Sequence, residues 1–388
     1  MQPEIRRALG STFFARLSAS AALRMVYPFL PVIARGLHVT PGHIAGVIAV
    51  RNLGALTSPV SASAAERYGR RRVMSLGVAV VGVACLVVAA TDIFLVAAVA
   101  MIVVGIARPG LDLATQAWFA DRVPYKERGR VYGISELNWS LSLLIVPLAA
   151  YLIVLGGWRA PFVLVAAMAA VGAIWIARSI PPDGSETGRG KERLTIDGRL
   201  LRVMTCVALF NLAAEVIFVV YGQWLEGSLG LSITGIGAFT LGILVAEFVG
   251  AGLVAVISDS FGLKKMWVAG VAASAFMYLL FPLVGGSVLG GLGVVTLWIV
   301  SYEVSFVASV PFISEMSQAR DKVLSGVFLS VGLGRAVGAA LAQPIFATGG
   351  IALSGGVAAA CAVLALVLLA PVPEHPIGLA ADVSPQSP

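Results

Sequence analysis

Nine ionisable side chains interrupt the long apolar runs of this sequence, and they are the residues most able to do chemistry. They are Arg24, Arg51, Arg108, Asp112, Glu136, Glu215, Glu247, Glu303 and Arg335. An ionisable residue in the middle of a membrane costs at least about 2.5–3.5 kcal/mol on insertion scales. Each of the nine therefore needs a role, either binding a proton or a solute or pairing with an opposite charge.

The three glutamates near the centres of their apolar runs are candidates for proton binding. A buried carboxylic acid costs much less in its protonated form than as the anion. We expect Glu303 and Glu215 to be the stronger candidates for a coupling proton and Glu247 the third. The alternative is that these glutamates pair with central arginines as gating salt bridges. The two roles are compatible, because a bridge that breaks on protonation is a coupling device.

A solute cavity is expected around the central arginines. Its candidate lining residues are Arg24, Tyr27, Arg51, Asn211 and Arg335. Tyr27 lies about one helical turn after Arg24, and Asn211 lies one turn before Glu215, so each polar residue shares a face with an ionisable neighbour.

Three charges lie nearer one end of their apolar runs. Arg108 and Asp112 are four residues apart, so they share a helix face and can pair, and Glu136 lies at a similar depth on the next predicted helix. The pattern predicts a structural ion cluster below the cavity or, as an alternative, a gate that breaks when the cavity opens.

The composition is that of a membrane protein. Mean hydropathy is +0.93, 59% of residues are hydrophobic and 12% are charged. A spanning helix needs about 20 apolar residues. The predicted helices cover roughly 10–35, 43–65, 73–91, 93–117, 130–155, 159–178, 199–225, 232–258, 265–285, 287–312, 322–347 and 350–371. The fold class is thus an all-α membrane protein with twelve transmembrane helices.

The predicted helices fall into two halves of six. The halves are residues 1–178 and 199–371, joined by a polar linker at 179–198 and followed by a tail at 372–388 that we expect to be disordered. Every third helix, counted from the third, has no internal charge. This periodicity predicts eight helices that can face a polar interior and four that face lipid.

The basic residues are strongly biased toward one side of the predicted membrane. Of the 27 Lys and Arg residues, 20 fall in the termini and loops of one side, and only Arg35 and Arg159 fall on the other. Short basic loops face the cytoplasm, so both termini are expected there. The net charge of +7 follows these loops and does not indicate nucleic-acid binding.

A basic hairpin, residues 66–72, joins predicted helices 2 and 3, and a similar stretch recurs at residues 259–265, which is 193 positions later. A second pair, around Asp121 and Glu315, repeats at an offset of 194. Two loops that repeat at nearly one offset indicate a duplicated chain, which is typical of transporters.

Residues 62–71 resemble the loop 2–3 signature G-x-x-x-D-R-x-G-R-R of the major facilitator superfamily. Arg67, Gly69, Arg70 and Arg71 match, whereas Glu66 stands where the signature has Asp. The second copy keeps Asp259, Gly262 and Lys264, and the stretch from Asp121 resembles the loop 4–5 pattern of the drug:proton antiporter branch. The resemblance implies a charge relay through Glu66, Arg70 and Asp121, with helices 1, 4, 7 and 10 lining the cavity.

The function implied by this resemblance is secondary transport of a small molecule by alternating access, with proton-coupled efflux of a drug-like or metabolite substrate as the first choice. Alternatives are uptake or exchange of an anionic organic solute and, from another class, a lipid flippase or a non-transporting sensor. We expect a protein that is not an enzyme and that is a monomer in the bacterial cytoplasmic membrane. Its expected partners are lipid, a small-molecule substrate and protons, and not nucleic acid. No spacing suggests a metal site, and a proton gradient is the expected energy source in place of a cofactor.

Overall fold

The computed structural model describes residues 2–181, 198–284, 286–314, 316 and 320–373, and these form helices and turns without a strand. The helices are α1 (Pro3–Arg24), α2 (Leu30–Gly36), α3 (Pro41–Asn52), α4 (Ser58–Tyr68), α5 (Arg70–Ala90), α6 (Phe94–Arg122), α7 (Tyr125–Leu141), α8 (Ile145–Gly156), α9 (Ala160–Ser179), α10 (Gly198–Gly227), α11 (Ile233–Phe261), α12 (Leu263–Leu280), α13 (Val288–Ser314) and α14 (Arg320–Leu369). Short 3₁₀ segments occupy Leu53–Thr57, Ser142–Leu144 and Phe281–Val284. We call 2–181 the N half and 198–373 the C half.

Within these ranges, ten helices are long and apolar enough to cross a membrane. Two features account for the difference from the predicted twelve. The first predicted helix is divided into α1 and α2, and α1 carries four arginines, which lower its hydropathy. The last two predicted helices run together as α14, whose backbone leaves the helical region at Gly349 and Gly350. Most of the predicted linker, the predicted tail from 374 onward and Glu315 lie outside the described residues.

Three predicted helices are broken where the sequence indicated continuous ones. The first is interrupted by turns at residues 25–29, which contain Pro28, and the second by the segment Leu53–Thr57, shortly before Pro59. The fifth changes to 3₁₀ geometry at Ser142–Leu144, just before Pro147. Proline lacks the N–H that a helix needs and its ring crowds the preceding turn, so each break lies beside such a residue.

The two halves repeat one turn geometry. Gly69, between α4 and α5, has φ 87° and ψ 140°, and Gly262, between α11 and α12, has φ 89° and ψ 138°. A positive φ strains any residue with a Cβ atom, so glycine is the residue that both turns require. The offset of 193 in the sequence is therefore matched by the backbone. We call the end of the molecule that holds these two turns the basic end and the opposite one the far end.

The halves touch closely at the far end. Arg35 of α2 forms a two-bond salt bridge with Glu226 of α10, at 2.8 and 3.1 Å. Nearby, Gly222 of α10 packs against the backbone carbonyls of Tyr27 and Pro28, and a Cβ atom there would lie 2.5 Å from the Pro28 oxygen. A glycine is needed for so close a backbone approach.

Contacts between the halves weaken toward the basic end. Gly237 of α11 packs on Pro147 of α8, and Gly332 of α14 packs on Asn52 where α3 ends. By contrast α4, the continuation of the same span toward the basic end, packs chiefly against α5 and α6 of its own half. The molecule is therefore closed at the far end and opens toward the basic end.

Candidate functional site

Glu215 of α10 lies at the centre of a polar cluster in which both of its carboxylate oxygens accept hydrogen bonds. Its side chain is 0% exposed. The Tyr27 hydroxyl donates to Oε1 at 2.6 Å, the Asn52 amide donates to the same oxygen at 3.0 Å, and Arg335 Nε donates to Oε2 at 2.7 Å. Tyr27 and Asn52 belong to the N half, so this carboxylate binds the two halves to each other as well as to Arg335.

Arg24, the last residue of α1, pairs with Glu247 of α11 across the halves. The guanidinium contacts both carboxylate oxygens, one of them at 3.1 Å from Nη1, and both side chains are buried. Arg24 Nη1 also donates to the carbonyl oxygen of Trp139 at 3.0 Å. The pair has the form of the gating salt bridge that the sequence suggested as an alternative role for the central glutamates.

Trp139 joins this pair to a second group of charges. The guanidinium carbons of Arg24 and Arg108 lie 4.6 and 4.7 Å from the centre of its ring. Cations are attracted to the negative face of an indole ring, most strongly where water is excluded. Trp139 lies near the end of α7, just before the break in that span, and its ring contacts both arginines.

The predicted ion cluster of Arg108, Asp112 and Glu136 has a fourth member that the sequence did not predict. Arg108 Nε pairs with Asp112 at 3.1 Å, as their spacing indicates. Arg16 of α1 completes the group, donating to Asp112 at 2.7 Å, to Glu136 at 3.0 Å and to the Ser135 hydroxyl at 2.7 Å. With Arg16 included, the cluster has two positive and two negative charges.

Glu303 of α13 differs from the other two central glutamates. It is 8% exposed, and within the part of the chain that the structure describes its carboxylate has neither a hydrogen bond nor a salt bridge. Its Cβ atom lies against Gly250, one helical turn after Glu247 on α11. The charges that act on it are the Glu247 carboxylate and the Arg24 guanidinium. Arg24 is thus bound to Glu247 and acts on Glu303 only from beyond salt-bridge distance.

Aromatic rings line α10 and α13 next to these acids. Tyr302 stacks on Phe210 and on Phe306, with ring centres 5.1 and 6.1 Å apart. Its hydroxyl donates to the side-chain oxygen of Asn211 at 3.0 Å. Phe218 lies under the Arg335 guanidinium, at 6.0 Å from the ring centre. These rings provide a flat apolar surface that can pack against an organic molecule.

The N-half hairpin forms part of the predicted relay. Arg70 pairs with Asp121 at the end of α6 and donates to the Ala117 carbonyl at 2.9 Å, which ties α5 to α6. Glu66 is exposed, and neither a hydrogen bond nor a salt bridge of its carboxylate occurs among the described residues. The Arg70–Asp121 contact therefore exists in this state without Glu66.

The other hairpin residues have different surroundings. Arg67 lies over the ring of Tyr68 at 5.4 Å. Arg71 follows in the first turn of α5. In the C-half copy, Lys264 donates to the carbonyls of Ala370 and Val372, which fastens the chain beyond α14, and Asp259 is exposed. The two copies share a backbone turn but hold different partners.

The described residues contain no group of His, Cys, Asp or Glu that could hold a metal ion. Of the predicted site residues, the structure brings Tyr27, Glu215 and Arg335 together in one cluster and Arg24 and Glu247 in another. Asn52 joins the first cluster and Trp139 the second, and Arg16 joins Arg108, Asp112 and Glu136 in a third; none of these three residues was predicted.

Three comparisons relate this arrangement to known proteins. The sequence profile of the Major Facilitator Superfamily matches residues 12–203. Multidrug resistance protein 2 of Bacillus subtilis (strain 168) is 24% identical over 159 residues, which are 40% of this chain and 39% of that relative's length.

Two solved structures cover nearly the whole chain. A D-xylose–proton symporter matches with a TM-score of 0.76 and 15% identity over 96% of this chain and 97% of its own. A bacterial homologue of the human lysosomal transporter Spinster, inward-facing and unoccupied, matches with a TM-score of 0.72 and 14% identity over 95% of each chain. At these identities the likeness establishes the fold.

Proposed function

Because this chain belongs to the Major Facilitator Superfamily, we propose that it exports a small organic molecule in exchange for protons, with Glu303 carrying the coupling proton. The chain is a transporter and not an enzyme, and its halves contact each other most closely at the far end. The choice of efflux is supported by the distant relative named for multidrug resistance. The observation that carries the proposal is the buried, unpaired carboxylate of Glu303.

A buried carboxylate without a partner is costly as an anion, because the medium around it does not replace the lost water. Glu303 therefore favours the neutral acid as long as Arg24 is engaged by Glu247. If Arg24 moves toward Glu303, the charged form is stabilised and the proton is released. Because Arg24 is on the N half and both acids are on the C half, relative movement of the halves changes that distance.

The proposed cycle follows from these positions. In the state described here, the basic end is open and Glu303 holds or exchanges its proton on that side. When the exported molecule binds from the basic end, Arg24 moves toward Glu303 and the proton is released on that side. Closing the basic end and opening the far end then breaks the Arg35–Glu226 bridge, and the return of Arg24 to Glu247 lets Glu303 take up its next proton from the far side. Alternating access then makes proton binding and release occur on opposite sides of the membrane.

The basic end is assigned to the cytoplasm in this proposal, because short basic loops remain on the cytoplasmic side. A reporter fused after Pro388 and another inserted within 183–190 should both be cytoplasmic, and one inserted within 38–42 should be external. An external C-terminus would contradict both this orientation and the count of twelve spans.

The experiment that tests coupling uses proteoliposomes, a solute library and an imposed pH gradient. Glu303→Gln mimics the protonated acid, so it should lose gradient-driven accumulation while keeping substrate binding and downhill exchange. The matched control is Glu4→Gln, which removes an exposed carboxylate at the start of α1. If Glu303→Gln still concentrates substrate with the wild-type pH dependence, Glu303 is not the coupling residue.

A further inference from the structure

The central charges are balanced in all groups but one. The cluster of Arg16, Arg108, Asp112 and Glu136 is neutral, and the excess acid beside Arg24 can be balanced by a proton on Glu303. Around Tyr27 the balance is reversed, because two guanidinium groups, Arg51 and Arg335, face one carboxylate, Glu215.

Arg51 is the unbalanced cation. It is 4% exposed and its guanidinium lies over the Tyr27 ring, 5.4 Å from the ring centre. Its one described hydrogen bond is a long one, from Nη1 to the Leu23 carbonyl at 3.4 Å, and Nε is buried without a partner. No carboxylate among the described residues lies within salt-bridge distance of it. An uncompensated buried charge of this kind is strongly unfavourable.

Arg335 also has unused donors. Its Nε is engaged by Glu215, whereas within the described residues its two Nη atoms make no hydrogen bond. The side chain is 20% exposed and lies over Phe218. Guanidinium groups present paired donors that match a carboxylate, so the Nη atoms of Arg335 can bind a second one.

The backbone beside these residues is broken on both contributing spans. Tyr27 lies in the turns at 25–29, and Arg51 and Asn52 end α3 immediately before Leu53–Thr57. Solute sites in transporters commonly form where transmembrane helices are discontinuous near the middle of the membrane.

We propose that Arg51 and Arg335 form an anion subsite that binds a carboxylate of the transported molecule, whose apolar body packs on Phe218 and Tyr302. The inference rests on the proposed function and adds a substrate class to it, a monovalent amphipathic organic acid. One excess positive charge is balanced by one carboxylate, which favours this group over a doubly charged phosphate. Arg24 is excluded from the subsite because Glu247 already neutralises it.

The competing explanation is that Arg51 only caps the end of α1 through the Leu23 carbonyl. Equilibrium binding to the purified full-length protein distinguishes the two. The probes are 2-naphthoate and its uncharged amide, 2-naphthamide, which share one aromatic body. Binding is measured in buffers that contain either chloride or gluconate as the anion, which tests whether the site takes a free inorganic anion instead.

We expect 2-naphthoate to bind at least about 10-fold more tightly than 2-naphthamide, because a charge-assisted hydrogen bond is gained. Arg51→Gln should remove most of this preference, and it leaves no acid unpaired because Arg51 has no acidic partner. Arg51→Lys should restore part of it. The control, Arg202→Gln, alters an exposed arginine of α10 and should leave the preference unchanged.

Equal binding of the two probes, or a preference that survives Arg51→Gln, would overturn the subsite. If chloride binds to the protein and 2-naphthoate binds no more tightly than 2-naphthamide in either buffer, the site does not take a substrate carboxylate. These measurements use no pH gradient, so they can fail while proton-coupled export of a neutral or cationic molecule is still observed. Conversely, naphthoate binding can persist in a protein whose Glu303→Gln variant transports normally.

Discussion

Glu215 and Glu303 occupy comparable central positions on two helices of the same half, yet their surroundings are opposite. Glu215 accepts three hydrogen bonds from Tyr27, Asn52 and Arg335, whereas within the described chain Glu303 accepts none. A carboxylate with three donors is stabilised as an anion, and one without a donor is not. The role of a central glutamate is therefore decided by the donors that surround its carboxylate and not by its depth in the membrane.

The largest effect is expected from removing the satisfied acid. Glu215→Gln removes the salt-bridge partner of Arg335 inside the membrane, so the free energy of unfolding should fall by about 3–5 kcal/mol. Unfolding of the purified protein in detergent measures this loss. Glu303→Gln should be neutral or stabilising in the same assay. Similar losses for the two variants would remove the distinction between the two glutamates.

A smaller loss is expected for Glu247→Gln, because the charge of Arg24 also acts on Glu303, which can ionise to balance it. We expect a cost of about 2 kcal/mol, comparable to a hydrogen bond to a charged group. The double variant with Glu303→Gln should lose clearly more than the sum of the single variants, since Arg24 then has no acid at all. Additive losses would mean that Glu303 does not reach Arg24.

Trp139→Phe tests the link between the two charge clusters. The smaller ring attracts the guanidinium groups of Arg24 and Arg108 less strongly, so we expect a loss of about 1 kcal/mol. Trp175→Phe, at a half-exposed tryptophan of α9, is the control. If Trp139 transmits movement between the clusters, its variant should also alter the pH dependence of exchange, which a purely structural role would not change.

The smallest effect on stability is expected at the hairpin. Glu66 is exposed, so Glu66→Gln should change the free energy of unfolding by less than about 0.5 kcal/mol. Because the relay is expected to act when the basic end closes, the variant should lower turnover more than substrate affinity. Full transport with an unchanged distribution of conformations would argue against a role for Glu66.

Much of the charge pattern could be predicted from the sequence. The pairing of Arg108 with Asp112 follows from a four-residue spacing, and the shared geometry of Gly69 and Gly262 follows from an internal repeat. These features depend on local spacing along one helix or on duplication, and both can be recognised in a single sequence.

The partners of the central glutamates could not be predicted, because they depend on how helices rotate and cross. The sequence ranks Glu303 and Glu215 together, and only the packing separates them. Arg16 was missed because it lies 96 residues before Asp112 in the sequence, and only the packing of α1 against α6 brings the two together. The predicted cluster holds two acids, Asp112 and Glu136, and one base, Arg108. This imbalance indicated that a second cation was missing from it.

The glycine contact at the far end has a consequence for hydration. Gly222 covers the Pro28 carbonyl, which accepts no backbone hydrogen bond among the described residues. Closure at this point is therefore a close contact between two main chains, and opening it allows water to solvate the exposed carbonyl. Water uptake then becomes part of the free energy of opening, so solutes too large to enter the gap should favour the closed far end and slow the cycle.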